Sequence, residues 1–151
     1  MHSMDETDRR IINRIQSRFP IHERPYQALA DELGVSEQEL LNRVRVLKEK
    51  GIIRRIGGNF RPEKVGFFST LCAARVPEDK LDAFAACVNR FTGVTHNYVR
   101  DHRFNVWFTF IAPSVAAIEQ ALKDIEQTTG VTDILNLPAT RVFKISAQFT
   151  V

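Results

Sequence analysis

The stretch Val94–Phe110, VTHNYVRDHRFNVWFTF, decides how this chain is read. It packs two histidines, a tyrosine, two arginines and the only tryptophan into seventeen positions. Aromatic and β-branched residues alternate with period two and break near Asp101–Arg103, which predicts two antiparallel strands joined by a short turn. Alternation puts His96, Tyr98 and Arg100 on one face and Thr95, Asn97 and Val99 on the other. On the second strand Phe104, Val106, Phe108 and Phe110 form the apolar set, and Asn105, Trp107 and Thr109 the mixed one. A two-residue loop sets Arg100 opposite Asn105, Tyr98 opposite Trp107 and His96 opposite Thr109. One face is then greasy and the other crowded with His, Tyr, Arg and Trp. A loop one residue longer would press the histidine face onto the phenylalanines and bury charge without partners.

Outward from this hairpin the patterns are regular. Ser69–Val76 reads as a strand, and Pro77–Arg90 as a helix with Leu81, Phe84, Ala85 and Val88 at i, i+3, i+4 and i+7. After the hairpin, Val115–Thr129 reads as a helix with Ile118, Leu122 and Ile125 inward and Gly130 as its stop. Val131–Val151 is extended and split by Pro138. The order βαββαβ predicts a ferredoxin-like α+β domain over residues 69–151, four antiparallel strands with two helices on one face. The other face must meet solvent, a partner or a ligand. In the last segment Lys144, Ser146 and Gln148 alternate with Phe143, Ile145, Ala147 and Phe149, which places Lys144 on that polar side with Arg141 just before it.

Upstream, Asp5–Phe19 carries Ile11, Ile12, Ile15 and Phe19 at helical spacing, with acids in the first turn and Pro20 after it. Pro25 opens a second helical pattern that ends at Gly34. Ser36, with Glu39 three residues on, predicts a capping box for a third helix with Leu40, Leu41, Val44 and Leu47 inward, stopped by Gly51. Helix, Gly-containing turn, helix and the strand-like GIIRRIGGNF predict a winged helix-turn-helix domain over residues 1–60. Residues 61–68, RPEKVGFF, form a linker punctuated by Pro62 and Gly66. The third helix starts with Glu37, Gln38 and Glu39, which repel phosphate, so DNA is not the expected partner.

The 151 residues are 44% hydrophobic and 26% charged, an ordinary globular balance. No run reaches the roughly 18 apolar residues of a membrane span, and the expected compartment is the cytoplasm. Cys72 and Cys87 are isolated, without metal-ligand spacing, and read as small buried hydrophobes. Residues 1–66 hold 13 Lys and Arg against 10 Asp and Glu, and the remainder is balanced, so the net charge of +3 sits in the first half. Three charges are a weak pointer to nucleic acid.

The architecture resembles the feast/famine (leucine-responsive, AsnC-type) regulators. Where those usually carry a Gly-Asp-Tyr-Asp-like turn, this chain has His102-Arg103-Phe104-Asn105. RRIGGNF (Arg54–Phe60), HNYVRDHRFNVWFTF (His96–Phe110) and LPATRVFKI (Leu137–Ile145) look like a narrower group, the siroheme decarboxylase subunits of the alternative haem and haem d1 pathways. The resemblance implies loss of two acetate carboxyl groups from siroheme, giving 12,18-didecarboxysiroheme, by a complex of two homologous subunits. It implies no separate cofactor, because the iron belongs to the substrate.

A disc with eight carboxylates on its rim calls for Arg and Lys at the edge and aromatic walls. Arg100, Arg103, Arg141 and Lys144, with Trp107 and Tyr98 as walls, suit that demand. The resemblance adds Arg55 and Asn59 from RRIGGNF to the substrate-binding set. Decarboxylation also needs a proton for the methylene left behind. His96 is the first choice as donor, with Tyr98 or His102 as relay or alternative, and His96 could instead be an axial ligand to the substrate's iron. Plainer roles stand beside each of these. His96 would also suit an ordinary sheet surface, Tyr98 and Trp107 a dimer interface, and Arg100 and Arg103 ion pairs with Asp101 or Asp133. Arg54 and Arg55 could be phosphate-binding residues, and the competing function is a DNA-binding regulator with a small-molecule effector.

Overall fold

A computed structural model describes residues 4–58, 60–145 and 150–151. They divide into two compact units, one over Met1–Gly58 with Lys144–Val151 and one over Asn59–Phe143.

The first unit is a three-helix domain: α1 (Glu6–Arg18), α2 (Pro25–Leu33) and α3 (Glu37–Glu49). Asp5 caps α1 by accepting the Asp8 N–H at 2.8 Å, while Asp8 accepts the Asp5 N–H, a reciprocal pair that satisfies two otherwise orphan donors. Pro25 opens α2, and Gly34, in the left-handed region at φ 71°, closes it. Ser36 accepts the Glu39 N–H at 3.1 Å, so the expected cap of α3 is present by half. The Glu39 carboxylate turns instead to Arg43 at 2.9 Å. Ile11, Leu29, Ala30, Leu40, Val44 and Leu47 close a core that also takes in Ile53.

Gly51–Gly58, expected as a strand-like wing, contains no strand. The Ile52 and Ile53 N–H groups both bond to the Leu47 carbonyl, so this backbone finishes α3 instead of forming a ladder. The chain end returns to this unit: the Asn13 side-chain amide pairs with the Val151 carbonyl and N–H at 3.3 and 3.2 Å.

The second unit is a sheet of β1 (Phe68–Ala74), β2 (Val94–Val99), β3 (Val106–Ala112) and β4 (Ile134–Pro138), covered by α4 (Leu81–Asn89) and α5 (Val115–Thr129). The strand order β2-β3-β1-β4 is antiparallel throughout, as the ferredoxin-like arrangement requires. Short 3₁₀ turns at Pro62–Lys64 and Glu78–Lys80 occupy the linker and the approach to α4. Phe84 and Val88 of α4 and Ile118, Leu122 and Ile125 of α5 pack on Cys72, Ala74, Val106, Phe108 and Phe110. Phe84 meets Phe108 edge-to-face at 6.3 Å, and Phe91 meets Phe110 at 5.6 Å. Burial of β3 alternates residue by residue from Val106 to Ala112, as the amphipathic pattern predicts.

The hairpin takes the expected register, His96 opposite Thr109 and Tyr98 opposite Trp107. The Arg100 N–H reaches the Asn105 carbonyl at 2.7 Å. One irregularity was not foreseen. Val94 pairs with Phe110 but His96 with Thr109, so Thr95 is an extra residue, a β-bulge.

The last strand also departs from expectation. Ile134–Pro138 pairs with β1, Ala74 to Ile134 through Thr70 to Pro138, and proline ends the ladder because it has no N–H to donate. Arg141–Ile145 carries no strand, so Lys144 does not alternate along the sheet and groups with the first unit. The alternation expected through Ser146 and Gln148 lies outside the described residues, as does Asn59.

Candidate active site on the open sheet face

The side of the sheet away from α4 and α5 is built from alternate residues of all four strands. Reading across the register, Tyr98, Trp107, Ala73 and Leu135 form one row, and His96, Thr109, Leu71 and Leu137 the next. The face is divided. Its β1–β4 half is aliphatic, with Leu71, Leu135 and Leu137 about 40% exposed; its β2–β3 half is aromatic, polar and cationic.

On that second half the structure brings together most of the sequence-predicted residues. The His96 and Tyr98 rings lie 5.9 Å apart, and the Arg100 guanidinium sits 6.0 Å from the centre of the Tyr98 ring. His102 approaches Trp107 at 6.3 Å and stacks on Phe104 at 6.3 Å, while the Arg103 guanidinium lies over the same Phe104 ring at 5.4 Å. Neither Arg100 nor Arg103 forms an ion pair with a described carboxylate, so the alternative of pairing with Asp101 or Asp133 is not realised. Two exposed guanidiniums beside imidazole, phenol and indole rings can grip carboxylates at the edge of a flat aromatic ligand.

Backbone contacts hold this patch in shape. The Trp107 Nε1–H donates to the Phe104 carbonyl at 2.7 Å, fixing the indole against the turn. The Phe104 N–H donates to His102 Nδ1 at 3.1 Å. The Asn105 side chain pairs with the backbone of Val76 in both directions, accepting its N–H and donating to its carbonyl, each at 2.8 Å. Asn105 thus ties the 101–104 turn to the end of β1. Sequence reasoning passed over Asn105 and Phe104 as bearers of the site, because an amide at a strand start and a phenylalanine in a turn signal nothing without their partners.

The remaining predicted residues lie elsewhere. Arg141 is three residues past β4, with its guanidinium 4.8 Å from the Phe143 ring. Lys144 and Arg55 belong to the first unit, where Arg55 lines a cavity of about 810 Å³ with Lys48, Arg54 and apolar side chains including Ile15, Phe19 and Tyr26. Cys72 is fully buried and its thiol is pushed up to about 12 by burial, as suits an inert hydrophobe. Among the described residues no group of three or more His, Cys, Asp or Glu is placed to hold a metal ion, and no helix is long and apolar enough to cross a membrane.

In α3 the charges are already engaged. Arg43 bonds Asp5, Asp8 and Glu39 at 2.8–2.9 Å, and these carboxylates hold its guanidinium protonated well above the usual range. Glu37 pairs with Arg24 at 2.6 Å.

A helix-turn-helix unit followed by this sheet, with one face left open, defines an AsnC-like protein. Residues 64–144 match the AsnC-like ligand binding domain, and residues 8–54 the siroheme decarboxylase NirDL-like HTH domain. The siroheme decarboxylase alpha subunit of Desulfovibrio desulfuricans is 56% identical over 97% of this chain and 84% of its own length. That of Nitratidesulfovibrio vulgaris is 53% identical over 97% and 82%. A crystal structure of the siroheme decarboxylase NirDL in co-complex with an iron-uroporphyrin III analogue superposes with a TM-score of 0.69 at 33% identity. There the match covers 96% of this chain and 48% of the NirDL chain, so the chain spans about half of that protein. The leucine response regulatory protein LrpA of Mycobacterium tuberculosis has a TM-score of 0.80 over 98% of this chain and all of its own, at 21% identity, a likeness of fold. The chain belongs to the siroheme decarboxylase family.

Proposed function

We propose that this protein is a subunit of a cytoplasmic siroheme decarboxylase, which with a homologous partner converts siroheme to 12,18-didecarboxysiroheme. The observation that carries the reading is the β2–β3 half of the open face, where Arg100 and Arg103 make no ion pair with a described carboxylate and lie beside His96, Tyr98, His102 and Trp107. The two guanidiniums hold retained carboxylates, and Trp107 and Tyr98 flank the macrocycle. Arg141, three residues past β4 in the same unit, is a further proposed contact to the carboxylate rim.

In each decarboxylation the bond between the acetate methylene and its carboxylate breaks and carbon dioxide leaves. The electron pair stays with the methylene, delocalised into the macrocycle, and a proton then converts that carbon to a methyl group. No electrons are gained or lost overall, so the chemistry needs an acid and fixed cations, with the iron part of the substrate and no separate cofactor.

The two histidines differ in their surroundings. His102 Nδ1 is held against the turn, with the Phe104 N–H at 3.1 Å and the Phe104 carbonyl at 3.4 Å. His96 lies exposed on the open face and is the proton donor, with Tyr98, one ring away, as the relay.

Anaerobic incubation of the protein with siroheme and its homologous partner is the test, followed by mass spectrometry of the tetrapyrrole. The product should be lighter by two carboxyl groups. Siroheme recovered intact with both subunits present would contradict the assignment.

A further inference from the structure

The geometry points to Thr95 as the positioning residue of His96: its bulge turns the imidazole onto the open face, and its hydroxyl commits Nε2 to proton transfer. The inference rests on the siroheme reading for the identity of the proton's acceptor, and on the strand geometry for everything else.

The bulge comes first. Gly93 is pressed against β3: its carbonyl accepts the Ile111 N–H at 2.9 Å, and a Cβ on it would lie 2.0 Å from the Ile111 oxygen. Only glycine allows this approach, and it fixes the start of β2 with Val94 opposite Phe110 and packed on the core. In an unbroken strand Val94 and His96, two residues apart, would share a face. That would press His96 onto the phenylalanines under α4 and α5. The extra residue, Thr95, shifts the register by one and sends His96, Tyr98 and Arg100 to the open side together.

The hydroxyl comes second. Thr95 Oγ1 lies 3.0 Å from His96 Nδ1. A hydroxyl both donates and accepts, so it can face Nδ1 in either protonation state of the ring. In the imidazolium, Nδ1–H donates to Oγ1 and Nε2–H points outward. When Nε2 gives its proton to the substrate carbon, the Nδ1–H bond to Thr95 remains, and the neutral ring is left in the tautomer with a bare Nε2. A water proton then reloads the same nitrogen. Without the hydroxyl nothing holds Nδ1 against the strand, and the ring can turn so that either nitrogen faces the substrate.

The test uses the full chain in two assays. In the protein without siroheme, nuclear Overhauser contacts from the carbon-bound ring protons of His96, assigned from their loss in His96→Gln, report which way the ring is turned. Wild type and Thr95→Ser should show one orientation, with Nδ1 against residue 95. Thr95→Val, which keeps the β-branch and so the strand, should give mixed orientations, and Thr95→Ala serves if the valine protein does not fold. With siroheme and the partner subunit, kcat should fall about tenfold in Thr95→Val with KM within about twofold, and Thr95→Ser should recover most of the loss. A single, unchanged ring orientation in both hydroxyl-free variants would overturn the inference, as would a serine variant no better than the valine one. If the ring contacts change as expected while wild-type protein and partner leave siroheme intact, the positioning stands and the siroheme reading falls.

Discussion

Two arginines, Arg43 in the helical unit and Arg100 at the hairpin, show how differently one side chain can be used. Arg43 is surrounded by Asp5, Asp8 and Glu39, and Asp8 is only 6% exposed, so its charge joins α1 to α3. Arg100 lies exposed beside the Tyr98 ring, with no described carboxylate within ion-pair distance. The first arginine is committed to the fold. The second is available to an anion that the fold does not supply.

That contrast can be broken most forcefully at the hairpin. His96→Ala should lower siroheme turnover by about a hundredfold or more, the usual contribution of a general acid, in assays with the partner present. Arg100→Ala should weaken siroheme binding by about tenfold or more, since a charge-assisted hydrogen bond to a carboxylate is removed. Neither change should lower thermal stability appreciably, because both side chains are exposed.

Arg43→Met should do the reverse, destabilising the helical unit by about 1–3 kcal/mol in urea unfolding while siroheme affinity stays within about twofold. The cost arises because Asp8 keeps its burial and loses its cation. An equal loss of siroheme affinity would erase the distinction between the two arginines.

Acid should act on the same cluster. The Asp8 N–H and the Arg43 guanidinium, in that order, hold the Asp5 carboxyl below its ordinary value of 3.8. A depressed carboxyl stabilises the folded state above that ordinary value, and the contribution is lost as pH falls through the lower folded one. Helix α1 should therefore loosen below about pH 4, seen as falling amide protection over its first turn, and Asp5→Asn should flatten that dependence. The smallest expected effect is on DNA. A gel shift with the gene's own upstream region should give no salt-sensitive nanomolar complex, since Glu37 and Glu39 open α3 and Arg43 is held by acids.

Much of this was legible in the sequence. Period-two alternation with a single sensible loop placed His96, Tyr98 and Trp107 on one face and the phenylalanines on the other, because a slip would have buried charge. Proline, glycine and capping residues marked α1, α2, α3 and α5 nearly to the residue. What escaped depended on partners distant in the chain. The fourth strand was expected to run on through Lys144, whereas the free edge of β1 takes Ile134–Pro138 as soon as α5 ends. The wing looked like a strand because Ile52, Ile53 and Ile56 carry strand propensity, yet its first N–H groups are taken by Leu47. The bulge at Thr95 has no signature of its own beyond Gly93 just before the strand. At the site, alternation identified the side chains of β2 but could not reveal Asn105 reaching to Val76.

The central claim, that the β2–β3 half of the open sheet face holds siroheme, is tested most directly by titrating the protein with siroheme and following the absorption of the macrocycle. Wild-type protein should give a saturable spectral shift that survives in Arg43→Met and weakens about tenfold or more in Arg100→Ala. A titration curve that is the same for wild type and Arg100→Ala would contradict it.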